Sequence, residues 1–296
     1  MNTHPFIQQL LAKGPVVTDG AWGTELQARG LGLGEFPDAW NMTRPDRVAE
    51  VARAYVAAGS QIILTNTFGA NRICLAENAL ADRVVEINAR GVEISRAAAG
   101  GKAVVFASIG PSGKLLLSGE ISPEELRSAF EEQAQALAEA GADGLVIETM
   151  SDLEEARMAV AAAYGTGLPI VACMVFDSGK DKDRTMMGTT TEQAAAALTK
   201  AGADVIGANC GQGIAGFTGI CRRLRAATDR PIWLKPNAGL PQVVEERAVY
   251  TTSPEEFAGY VPELVKLGAT FIGGCCGCNP GFVAAIARCV RKPHPV

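Results

Sequence analysis

The stretch KAGADVIGANCG, residues 200–211, contains the pattern on which the fold turns. An Ala-rich segment closes at Gly202, where glycine is the usual left-handed residue just past a helix end. A short β-branched run follows, and the chain then turns through Asn209-Cys210-Gly211. Similar helix ends precede apolar runs in AAGSQII at 57, EAGADGL at 139 and KLGATFI at 266.

Eight such runs can be counted: VVTDG at 16, IILTNTFG at 62, AVVFASIGPSG at 103, GLVIETMSD at 144, PIVACMVFD at 169, DVIGANCG at 204, PIWLKPNAG at 231 and TFIGGCCG at 270. Helical spacing separates them, and Ser122-Pro123-Glu124-Glu125 and Ser253-Pro254-Glu255-Glu256 read as capped helix starts. Eight strands alternating with helices is the arithmetic of a (β/α)8 TIM barrel. An open doubly wound sheet uses the same alternation, but no linker or compositional break divides the chain. The expectation is an α/β protein with residues 1–296 as one barrel domain, the connections near 20–45, 177–190 and 238–253 looping over its mouth.

The 296 residues are 48% hydrophobic and 20% charged, a globular composition. A formal charge of −5 without a dense basic run argues against nucleic acid or an anionic membrane as partner. The start MNTHPFIQQLLAKG does not read as a leader, and no run approaches the roughly 20 apolar residues of a membrane helix. A cytoplasmic protein with eight reduced cysteines is expected. The only histidines, His4 and His294, lie at the chain ends, so imidazole chemistry is hard to build.

In a barrel the active site gathers at the C-terminal ends of the strands. Those ends carry Asp19, Asn66 and Thr67, Ser108, Glu148 and Thr149, Asn209 and Cys210, Asn237, and Cys275 with Cys276. Cys210, Cys275 and Cys276 would share one rim and offer three soft ligands to a metal. Zinc suits thiolates, and catalytic zinc keeps a fourth position open. The competing reading is cysteine as a small buried hydrophobe, which fits Cys74, Cys173, Cys221 and Cys289. It fits Cys275-Cys276 poorly, because neighbours on a strand face opposite ways. Cys278 is a spare candidate ligand.

Asp19 and Glu148 each have a plain structural reading, as a turn residue and a helix N-terminal acid. Together at one rim they would bind an ammonium group, with backbone amides left for a carboxylate. Gly211, Gly213 and Gly216 match a dinucleotide-binding glycine pattern out of its usual context. Lys235 at a strand end is either an ion-paired lysine or a Schiff-base nucleophile.

The stretches DGAWGTELQ at 19, ILTNTFGANR at 63, ASIGPSG at 107, IETMSDLEEA at 147, GANCG at 207, KPNAG at 235 and GGCCG at 273 span nearly the whole chain. In them the chain resembles the homocysteine S-methyltransferases, most closely the homocysteine-binding module of cobalamin-dependent methionine synthase. The resemblance implies a (β/α)8 barrel and zinc on Cys210, Cys275 and Cys276. It also implies that Asp19, Gly20, Thr67 and Glu148 hold the amino-acid part of homocysteine, and that Asn237 lies beside the metal, filling its fourth place before substrate arrives. No folate or corrinoid module is expected within the 296 residues, so the implied methyl donor is a separate methylcorrinoid protein. A small donor such as S-methylmethionine or betaine, or a metal-binding barrel without turnover, are the alternatives. GQGIAGF after Cys210, and Cys278, depart from the family's pattern.

Overall fold

A computed structural model describes residues 3–244 and 247–291; His294 lies outside them. The strands are β1 Val16–Val17, β2 Ile62–Ile63, β3 Val104–Ile109, β4 Gly144–Met150, β5 Ile170–Met174, β6 Val205–Gly213, β7 Ile232–Asn237, β8 Gln242–Val244, β9 Arg247–Val249 and β10 Ala269–Ile272. Eight of them form one sheet in the order β1-β10-β7-β6-β5-β4-β3-β2, with every pairing parallel. These are the eight runs read from the sequence. Where β1 meets β2 the Gln61 N–H donates to the Val17 carbonyl at 2.7 Å, and the Leu64 N–H donates to Asp19 Oδ2 at 2.7 Å. Those bonds draw the sheet into a nearly closed (β/α)8 barrel with helices between the strands.

The alternation of side chains divides the core in two. Val16, Ile62, Phe106, Val146, Val171, Val205, Trp233 and Phe271 point inward and form one cluster, joined by Ile7 of the helix Pro5–Leu11. The Trp233 ring lies 5.2 Å from Phe271 and 6.3 Å from Phe106, so aromatics fill the lower barrel. The alternate residues, such as Leu145, Ile147, Ile206, Leu234 and Ile272, pack outward under the helices.

Helix ends follow the sequence reading: Gly59, Gly141, Gly202 and Gly268 have φ of +107°, +90°, +109° and +104°. Ser122 and Glu125 form a reciprocal cap on the helix Pro123–Glu139. Ser253 caps a shorter helix, Pro254–Gly259, with Val261–Lys266 following. The segment 238–253, expected as loop, carries the antiparallel hairpin β8–β9, whose three-residue strands are too short for periodicity to reveal. Among the described residues no helix is long and apolar enough to cross a membrane.

Candidate metal centre

The three rim cysteines converge. Their sulfurs all lie within 4.8 Å of one another, with Cys210 3.8 Å and Cys275 4.0 Å from Cys276. Sulfurs bound to one zinc at about 2.3 Å in a tetrahedron lie about 3.8 Å apart, so the cluster fits such an ion.

Backbone irregularity brings the sulfurs together. The β6–β7 register slips between Asn209 and Gly213, and Cys210 takes φ +60°, costly for a non-glycine residue. The loop after β10 is pinned on both sides. Cys275 N–H donates to the Pro236 carbonyl at 2.7 Å and Gly274 N–H to the Asp19 carbonyl at 3.0 Å, while Cys278 N–H closes a turn onto the Cys275 carbonyl at 2.9 Å. Side chains at Gly273 and Gly274 would overlap Thr18 Oγ1 and Cys278 Cβ, so glycine is required there. The turn removes the objection that adjacent strand residues diverge. Cys278 itself points away: it is buried, its thiol faces the Pro236 carbonyl at 3.6 Å, and burial raises its pKa.

Three sulfurs this close cannot all ionise unaided. Hydrogen bonds from Cys275 and Cys276, with further donors on Gly211 and Asn237, pull Cys210 well below the usual thiol range. Sharing its proton with the Cys210 sulfur pushes Cys275 and Cys276 up. A dication is the natural way to hold all three as thiolates. Asn237 is buried beside Cys210, and its Oδ1 has no hydrogen-bond partner, an orphan acceptor of the kind a bound ligand satisfies. Tyr250, which sequence reading missed, lies over Gly277 from beyond the hairpin and eases ionisation of the neighbouring Cys276. Its only signal was an aromatic residue in a mouth loop.

Below the cysteines lies a charged floor. Lys235 Nζ sits 2.5 Å from Asp19 Oδ1, and Asp19 Oδ2 accepts from Trp22 Nε1 and the Leu64 N–H, both at 2.7 Å. Asp19 is thus fully engaged within the protein. Burial disfavours the Lys235 ammonium, but Asp19 and Glu148 outweigh it and raise the pKa. A charged, ion-paired amine is no Schiff-base nucleophile. Glu148 accepts from Ser108 Oγ at 2.6 Å through Oε1, leaving Oε2 with spare capacity. Burial lifts its pKa above the ordinary carboxylate range, against the pull of Lys235 and Ser108.

Thr67 Oγ1 bonds the Ser108 carbonyl at 2.7 Å and Thr65 Oγ1 at 2.6 Å, so its side chain braces β2 against β3. Gly20 lets the end of β1 approach the 275–278 turn, since a Cβ there would overlap the Cys278 carbonyl. The glycine pattern at 211–216 has a packing explanation. Gly211 abuts Val175, a Cβ at Gly216 would strike Gln212, and Gln212 Nε2 anchors the β5 loop through the Phe176 and Lys182 carbonyls at 3.1 and 2.9 Å.

The fold and the cluster define a (β/α)8 barrel with a centre of three cysteines able to bind a metal. The chain belongs to the homocysteine S-methyltransferase family, whose sequence model matches residues 16–290. Methionine synthase of Mycobacterium leprae is 32% identical over 97% of this chain and 26% of its own length; that of Mycobacterium tuberculosis is 32% identical over 96% and 25%. The chain therefore spans about a quarter of the length of these relatives. The metallated homocysteine methyltransferase MmuM of Escherichia coli superposes with a TM-score of 0.80 at 24% identity, covering 96% of this chain and 99% of that one, a likeness of fold.

Proposed function

We propose that the protein transfers a methyl group to the sulfur of homocysteine, giving methionine, with Cys210, Cys275 and Cys276 holding a zinc ion. The observation that carries this reading is the convergence of three sulfurs above a floor with one spare carboxylate oxygen. When bound, zinc supplies a Lewis acid that strips the proton from a substrate thiol, whose free pKa is about 8.5. Three cysteine thiolates keep that site electron-rich, so the substrate sulfur stays nucleophilic.

Glu148 takes the substrate ammonium on its free oxygen. Asp19 and Lys235 neutralise one another, so the floor carries a single net negative charge for that ammonium. Asp19 thus contributes by charge, and Gly20 and Thr67 contribute through the backbone lining the pocket for the amino-acid carboxylate. Asn237 would offer its unpaired oxygen to the ion in the absence of substrate. Attack at a methyl carbon needs alignment of sulfur, carbon and leaving group, which positioning supplies without a protein base. The thiol proton is lost to solvent when the sulfur becomes thiolate; the S–CH3 bond then forms as the bond from the methyl carbon to the donor breaks, and the donor departs with that electron pair.

The resemblance to the homocysteine-binding module of methionine synthase favours a methylcorrinoid over S-methylmethionine or betaine as donor. Metal analysis of reduced protein, with zinc-edge X-ray absorption, tests the first part: one zinc per chain, rising from three to four sulfur neighbours with homocysteine. Protein that takes up no zinc refutes it. Methionine formation with methylcobalamin but not with the two small donors supports the donor assignment, and the reverse overturns it.

A further inference from the structure

Asn209 joins the two irregular strand ends of the site. Its Oδ1 accepts the Thr149 N–H at 2.8 Å, and its Nδ2 donates to Thr149 Oγ1 at 2.7 Å. The second Nδ2 hydrogen lies toward Cys275 Sγ, 3.8 Å away. The amide orientation is fixed by chemistry, because the Thr149 N–H can only donate and must face the carbonyl oxygen. Asn209 is 1% exposed, so no water replaces these bonds.

The two partners flank the working residues. Thr149 follows Glu148 at a register slip in β4 and has φ +65°, unfavourable for a β-branched residue. Cys210 follows Asn209 at the slip in β6, with φ +60°. Two strained ends, 60 residues apart in sequence, are thus clamped by one side chain that also faces a third element at Cys275.

We propose that Asn209 is a positioning residue that sets the spacing between the Glu148 carboxylate and the metal-binding sulfurs, and so the length of amino-acid thiol the site accepts. This rests on the reading of the site as one for homocysteine on a metal held by three cysteines. The Thr149 end of the clamp governs Glu148 and hence substrate binding; the sulfur end governs the metal.

Asn209→Ala, Thr149→Val and Thr149→Ser are compared with wild type by chelator competition for zinc, by the sulfur-to-cobalt charge-transfer band after cobalt loading, and by kcat and KM for homocysteine. Loss of an outer partner of a metal site commonly weakens metal binding by about 10–100-fold. Asn209→Ala is expected to do so, to shift the cobalt band and to raise KM. Thr149→Val is expected to raise KM about tenfold while metal affinity stays within about twofold, and Thr149→Ser to restore wild-type KM. Asn209→Ala with unchanged metal affinity, band and KM overturns the inference, while wild type remains a zinc-dependent methyltransferase. Wild type that binds no metal overturns both readings. If Asn209→Ala does not fold, the Thr149 pair decides: KM unchanged in Thr149→Val overturns the clamp.

Discussion

Lys235 reaches past β10 to set its ammonium 2.5 Å from the Asp19 carboxylate, and the two side chains are 3% and 0% exposed. Two strands that are not neighbours in the sheet are thereby tied across the barrel interior, at a level where the intervening chain has Gly273 and Gly274. Removing one partner leaves the other charge buried. Lys235→Met is therefore expected to lose about 3–5 kcal/mol in urea unfolding, and Asp19→Asn with Lys235→Met to recover most of it. Equal losses in the single and double variants would show that the charge pair is not what matters.

Cysteine substitutions should separate ligand from packing. Cys210→Ala and Cys276→Ala are expected to abolish stoichiometric metal binding while the far-ultraviolet circular dichroism is retained. Cys278→Ala should keep the metal and lose about 1 kcal/mol of stability for the vacated volume. Metal loss in Cys278→Ala would put it among the ligands.

Glu148 must be ionised to hold an ammonium group, yet burial raises its pKa. Homocysteine KM is therefore expected to rise as pH falls through that raised value, sooner than an ordinary carboxylate would dictate. Glu148→Gln should raise KM by about tenfold or more, flatten this acid limb and leave metal content unchanged. An acid limb that persists unaltered in the variant would remove Glu148 from the substrate site.

Asp38 lies in the connection after β1, accepting the Gly69 N–H at 3.0 Å, and burial lifts its pKa to about 7. Because the folded value is raised, its favourable contribution is full below about pH 4 and disappears as pH rises through 7. Asp38→Asn keeps an acceptor for Gly69 and has no charge to bury. It should match wild type at pH 4 and exceed it by about 2–4 kcal/mol at pH 8, measured by urea unfolding. A variant less stable at pH 8 would contradict this.

The eight strands were legible because short β-branched runs recur ahead of polar turns, four of them directly after a glycine-closed helix, as KAGADVIGANCG shows. The thiol cluster was legible because Cys210 and Cys275-Cys276 end strands on either side of β7. What stayed hidden depends on pairing. Nothing in the sequence near Lys235 points to Asp19, 216 residues away, as its partner. Alternation gives the face of a strand, while the partner follows from barrel closure and strand stagger. Asn209 and Thr149 were visible as strand-end polar residues, but their mutual bond needs both register slips, and slips are invisible to a periodicity of two. Tyr250 reaches Cys276 from a connection whose hairpin had no sequence signal.

The aromatic plug of Phe106, Trp233 and Phe271, backed by the helix Pro5–Leu11, makes the barrel a blind well. On the proposed chemistry, traffic through it is last in, first out. The amino acid, seated at the level of Glu148, has to enter before a donor covers the mouth, and methionine has to wait until the spent donor withdraws. A steady-state order with homocysteine first is thus written into the stopper at the far end of the molecule rather than into the residues that touch the methyl group.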